Sequence, residues 1–200
     1  MSNTSKDEFV KTQIIEAAKT VFETYGFRKA NMALIAKASG KGRSTLYYYY
    51  KNKEDVFKAC MLDVYKPLLD ICKSKLSNAN TLKANLSIYA KENIIHIENA
   101  LETYKIILHD LRQGEDFISS ITVKIREQDI EMIKDCLTWA IQNKEIETLD
   151  NEHIIFLATI IVNTIDNTKK EFFIYETLKG DMLTKINWIN NLLIQSLKLK

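Results

Sequence analysis

Residues 39–56 read SGKGRSTLYYYYKNKEDV and gather the side chains in this chain best equipped for recognition chemistry. Gly40 and Gly42 precede Arg43, Ser44 and Thr45, then four consecutive tyrosines, Tyr47 to Tyr50, then Lys51 and Lys53. Glycines followed by cations and hydroxyls first suggest a loop that cradles phosphate. The spacing excludes the two common forms. A Walker loop needs a glycine five positions before Gly40, where Ile35 stands, and a hydroxyl after Lys41, where Gly42 stands. A dinucleotide fingerprint needs a third glycine where Thr45 stands, and no strand pattern precedes it. What remains is a guanidinium, several hydroxyls and ammonium groups, all able to donate hydrogen bonds to phosphates and base edges.

The flanking segments provide a frame for these groups. Val10, Ile14, Ala17, Ala18, Val21, Phe22 and Tyr25 make one helical stripe that ends at Gly26. Asn31 is placed to cap a short second helix through Ala38, and Ser39-Gly40-Lys41 forms a tight turn. A third helix is expected from about Arg43 to Tyr50. Two short helices joined by a glycine-containing turn describe a helix-turn-helix. Successive helical residues lie about 100° apart, so four tyrosines cannot share one face. Leu46 and Tyr50 belong inward, whereas Arg43 with Tyr47, and Ser44 with Tyr48, form outward stripes. Arg43 and Ser44 near the helix start suit base edges in a major groove, and tyrosine hydroxyls and Lys53 suit the flanking phosphates. An aromatic core with a solvated rim of charge has the same composition.

Net charge is +2, but residues 1–60 carry 11 Lys and Arg against 6 Asp and Glu. The basic charge is concentrated in a head, as a polyanion-binding module requires, although clustered solvated lysines give the same count. Cys60, Cys72 and Cys136 are odd in number and lack metal-ligand spacing, which fits a reduced, cytoplasmic compartment. The opening MSNTSKDEF lacks a signal-peptide core, and IIFLATIIV at 154–162 is too short to span a bilayer. No membrane role is expected.

On these residues, positions 9–56 resemble the DNA-binding domain of the TetR family of bacterial transcriptional regulators. The resemblance runs from Ile35-Ala36 through Thr45-Leu46-Tyr47-Tyr48 to Lys53-Glu54-Asp55-Val56 and covers about a quarter of the chain. It implies that Arg43, Ser44 and Tyr47 approach bases, that Thr45, Tyr48, Tyr49 and Lys53 approach the backbone, and that Tyr50 is structural. Asn31 and Lys41 complete the DNA-binding candidates. Three positions depart from the family pattern: Lys41 replaces an apolar turn residue, Gly42 a serine cap, and Ser44 a common glycine. The preferred operator therefore cannot be borrowed from relatives.

Apolar residues recur at i, i+3, i+4 and i+7 along the rest of the chain, with no sustained alternation, so the fold is expected to be all-α with about nine helices. Helical segments are expected near 54–76, 81–99, 101–113, 116–144, 151–176 and 181–198, with Gly114 and Gly180 as stops, Pro67 as a kink and Ser77 to Asn80 as a loop. The expected division is residues 1–53 as the DNA-binding head and 54–200 as a body. The family resemblance implies that this body binds a small-molecule effector and forms a homodimer through its last two helices. Ile154, Ala158, Ile161 and Ile165, then Ile186, Ile189, Leu193 and Leu197, supply apolar stripes. Tyr65, Tyr89, His96, Tyr104, His109, Cys136 and Trp139 are candidates to line an effector cavity, and each also suits an ordinary core. No metal site, cofactor or catalytic group is implied. The expected function is a ligand-responsive repressor acting on a double-stranded DNA operator. An all-helical adaptor using the aromatic patch to bind another protein is the alternative.

Overall fold

The computed structural model describes residues 3–103 and 117–198. Its described residues form eight helices and no strand: α1 (Asn3–Lys29), α2 (Met32–Ser39), α3 (Arg43–Tyr49), α4 (Lys53–Lys75), α5 (Leu82–Thr103), α6 (Phe117–Gln142), α7 (Asn151–Phe173) and α8 (Met182–Ser196). The expected helix at 101–113 falls mostly outside the described residues, as do Gly114, Tyr104 and His109. No boundary occurs near residue 100, because α5 runs unbroken to Thr103. By compactness the chain forms two units, Met1–Tyr65 with Ala100–Ile121, and Lys66–Asn99 with Thr122–Lys200. Helix α4 continues through Pro67, just past that division.

The first unit is built on the α1 stripe. Ile14, Ala18 and Phe22 are fully buried, with Ile35 and Ala36 of α2, Leu46 of α3, and Val56, Phe57 and Cys60 of α4. Gly26 interrupts α1 with φ 70, and helical turns resume through Lys29, so the expected stop is a kink. Tyr25 is 45% exposed rather than part of the core stripe. Phe27, beyond the glycine, fills that place: its ring lies 6.2 Å from Phe22 and 5.1 Å from Phe57. An ion pair fastens α1 to α4, with Lys19 Nζ 2.5 Å from Asp63 and 2.8 Å from Glu16. Burial opposes the Lys19 charge, but its hydrogen bonds to Asp63 and Glu16 outweigh that and raise its pKa.

In the second unit the loop after α4 is fixed by buried Asn85. Its amide oxygen accepts from the Ser77 N–H and Asn80 Nδ2, and its Nδ2 donates to the Ser77 carbonyl at 2.9 Å. Glu145 accepts the Leu82 N–H at 2.8 Å and so caps α5 from the end of α6. Asp150 and Asp181 cap α7 and α8 by accepting from the N–H groups of His153 and Thr184. Gly180 lies seven residues past the end of α7 and is therefore not its cap, although its φ of 91 suits a glycine.

Helices α7 and α8 pack together. Ala158, Ile161, Ile165 and Ile186 are at most 2% exposed, so this part of the expected dimer stripe is the chain's own core. The outward apolar stripe is a different one: Ile155, Phe156 and Ile160 on α7, and Trp188, Ile189 and Leu192 on α8. Of the expected interface residues, only Ile189 belongs to it.

Candidate nucleic-acid interface

The turn between α2 and α3 is set by backbone hydrogen bonds. Asn31 Oδ1 accepts the Leu34 N–H at 3.0 Å, as its cap position predicts. At the other end the Gly40 N–H donates to the Lys37 carbonyl and the Lys41 N–H to the Ala36 carbonyl, the pairing of a Schellman motif. Gly40 has φ 64, in the left-handed region where side chains are strained. The half-buried Lys41 holds the position where such motifs often place an apolar residue, and the turn forms without one.

Gly42 has a different role. At φ −63 and ψ 151 it is ordinary extended backbone, and an added Cβ would meet only Ser44 Oγ at 3.8 Å and Thr45 Oγ1 at 3.9 Å. The sharp turn thus requires Gly40 alone. Gly42 leaves the start of α3 without a side-chain cap.

Helix α3 is held by fully buried Leu46 and presents Arg43, Ser44, Tyr47 and Tyr48 to solvent, Tyr48 with 77% of its surface exposed. Thr45 is half-buried. Tyr50 lies just past the helix in extended conformation, half-buried rather than fully packed, and burial raises its hydroxyl pKa. Four of the candidates come together: Asn31, Arg43, Tyr47 and Lys53 line an open notch of about 580 Å³ with Ala30, Met32 and Ala33. Two of its walls are a guanidinium and an ammonium, and a third is the N-terminal turn of α2. The site therefore favours an anion.

Lys53 and Tyr49 are tied to the fold by contacts that sequence spacing could not indicate. Lys53 Nζ donates to the Phe27 carbonyl at 2.8 Å and sits 4.1 Å above the centre of the Phe27 ring. The Tyr49 hydroxyl donates to Asp7 Oδ1 at 2.8 Å. That hydrogen bond, followed by burial, raises the Tyr49 pKa.

In the second unit Tyr89 and Cys136 are buried, and His96 and Trp139 are half-buried. Tyr65 is buried at the end of the first unit. Burial pushes the thiols of Cys60, Cys72 and Cys136 up to about 12, which keeps them protonated and unreactive. Burial, then the charge of Lys169, lowers the His96 pKa and keeps the ring neutral at pH 7. The same unit holds polar contacts absent from the sequence-based candidates. Lys169 Nζ donates to Asn93 Oδ1 at 3.0 Å and pairs with Asp166 at 2.8 Å. Arg126 donates to Asn163 Oδ1, while its buried Nε–H has no partner among the described residues. These charges sit on amphipathic helices, and only the packing shows that they point inward.

A profile described as "Bacterial regulatory proteins, tetR family" matches residues 14–60. The fatty acid metabolism regulator protein of Bacillus subtilis (strain 168) is 24% identical over 186 residues, covering 92% of this chain and 94% of that protein. FadR from Bacillus subtilis, solved in complex with stearoyl-CoA, matches with TM-score 0.63 and 24% identity over 92% of this chain and 97% of that one. A TetR-family regulator structure from Syntrophomonas wolfei matches with TM-score 0.69 at 14% identity over 94% and 96% of the two chains. No described helix is long and apolar enough to cross a membrane. The helix-turn-helix segment, residues 14–60, thus matches the DNA-binding domain of the TetR family of bacterial transcriptional regulators, and nearly the full length of the chain is similar to regulators at 24% identity or below.

Proposed function

We propose that the chain is a homodimeric cytoplasmic repressor that holds a palindromic DNA operator until a long-chain acyl-CoA releases it. In this reading residues 1–53 read DNA, and residues 54–200 hold the effector and the partner subunit. The observation that carries the DNA part is the notch, where Arg43, Tyr47 and Lys53 meet the capped start of α2 beside an exposed face of α3. Arg43 and Ser44 address base edges, Tyr47 lies one turn further along the Arg43 stripe, and Asn31, Lys41, Thr45, Tyr48 and Lys53 flank the phosphates. Two such heads on a two-fold axis match a palindrome. The outward stripe of α7 and α8 supports the dimer, since exposed aromatics such as Phe156 and Trp188 are costly on a lone chain in water.

The acyl-CoA assignment draws on the relative bound to stearoyl-CoA and on the charged network inside the second unit. An acyl chain needs apolar walls, and a thioester with phosphates needs donors such as Arg126 and Lys169. The test is a titration of duplex DNA, selected from a random pool with the full chain, against added stearoyl-CoA, with stearate and free coenzyme A as controls. Release by stearoyl-CoA alone, below its micelle-forming concentration, is expected. DNA binding that all three leave unchanged contradicts the effector assignment, and binding insensitive to salt contradicts the DNA reading in favour of a protein-binding adaptor.

A further inference from the structure

Tyr49 stands between an anion and a cation supplied by α1. Its hydroxyl donates to Asp7 Oδ1 at 2.8 Å, and Lys11, one helical turn on from Asp7, sets Nζ 6.0 Å from the centre of its ring. The Tyr48 ring closes on it edge-on at 5.0 Å. A phenol has a single proton to give, and phosphate oxygens only accept. While Asp7 holds that proton, Tyr49 presents only lone pairs to a DNA backbone. Lys53 is different, because an ammonium has three protons and Phe27 takes one.

We propose that Asp7 is a positioning residue for DNA recognition, withholding the Tyr49 hydroxyl from the phosphate backbone and so setting the affinity of the head below what α3 alone could reach. The carboxylate adds its own repulsion, since any phosphate within reach of Tyr49 lies inside the roughly 8 Å Debye length at physiological salt. The inference rests on the reading that α3 faces DNA. Because phosphates carry no sequence information, the restraint acts alike on every sequence.

The test uses the full chain, a duplex selected from a random pool and a scrambled duplex of equal composition. Asp7→Ala removes acceptor and charge, Asp7→Asn removes the charge alone, and Tyr49→Phe removes the hydroxyl. Asp7→Ala is expected to tighten binding to both duplexes by about threefold to tenfold, the net worth of roughly one ordinary solvent-exposed hydrogen bond. Asp7→Asn should tighten it less. Tyr49→Phe alone should stay within about twofold of wild type, yet remove part of the gain when added to Asp7→Ala, a coupling that a double-mutant cycle reads directly. Threefold weaker binding in Tyr49→Phe alone would show, on the same roughly one-bond scale, that the hydroxyl already serves DNA, and would overturn the proposal. Unchanged affinity in Asp7→Ala with a lower melting temperature would make the pair a mere staple between α1 and α3, and would overturn it too. Wild-type protein that binds neither duplex contradicts the DNA reading, and this inference with it.

Discussion

Lys53→Met separates two functions in one side chain. The substitution keeps most of the aliphatic stem and deletes the ammonium, which donates to the Phe27 carbonyl at 2.8 Å and lies 4.1 Å above the Phe27 ring. A hydrogen bond from a charged group is worth about 1.5–3 kcal/mol when buried; Lys53 is half-exposed, so about 1 kcal/mol is appropriate. A partly exposed cation–π contact adds about 0.5–1 kcal/mol. The sum, about 1.5–2 kcal/mol, corresponds to a melting temperature lower by about 3–8 °C for a chain of this size. The two ammonium protons not used by Phe27 remain available for phosphate. Their loss should weaken binding to all sequences alike and reduce the slope of log affinity against log salt by about one per lost contact in each subunit. Thermal melts and duplex titrations at several salt concentrations measure both. A wild-type melting temperature would refute the structural half, and an unchanged salt slope the phosphate half.

Three further outcomes follow from the packing. Gly42→Ser should stabilise the chain by a few tenths of a kcal/mol through the missing α3 cap, with DNA affinity kept, as chemical denaturation and titration can show. Trp188→Ala should raise the dimer dissociation constant by more than about tenfold in sedimentation runs, as expected for a central aromatic anchor, while the melt of the diluted chain stays unchanged because Trp188 is 62% exposed there. At the start of α7 the Asp150 carboxylate accepts from the His153 N–H and ring, so the Asp150 pKa is lowered and the His153 pKa raised. The His153 contribution is complete below its ordinary value of about 6.5 and lost as pH rises through the raised value; the Asp150 contribution is complete above about 3.9 and lost as pH falls through the lowered value. Urea midpoints of His153→Gln should lack the high-pH decline and keep the low-pH one.

Local signals were legible in the sequence wherever one residue type performs one task. The Asn31 cap and the tight turn at Gly40 followed from side-chain and backbone chemistry alone, and the helices from apolar spacing. Inside and outside were harder to tell apart on α7, where IIFLATIIV is apolar almost all round. Periodicity selected Ala158, Ile161 and Ile165, which the chain buries itself, while Ile155, Phe156 and Ile160 face out. The break expected near residue 100 does not exist: no glycine or proline marks it, and α5 simply continues to Thr103. The tethers of Lys53 to Phe27 and Tyr49 to Asp7 join residues 26 and 42 positions apart, distances over which helical spacing carries no information. The inward turn of Arg126 and Lys169 was hidden for a related reason: a charge on an amphipathic helix reads as solvated until its neighbours are known.

The central claim, that α3 reads base pairs through Arg43, is tested most directly by selecting binding sites from a random DNA pool with the wild-type chain and with Arg43→Ala in parallel. The wild type should recover two inverted half-sites spaced to suit a two-fold dimer. Arg43→Ala should recover the same arrangement with preference relaxed at one base pair in each half, and should bind the wild-type site about 1–3 kcal/mol more weakly. Recovery of an identical motif by both proteins, or of no motif by the wild type, would contradict the account.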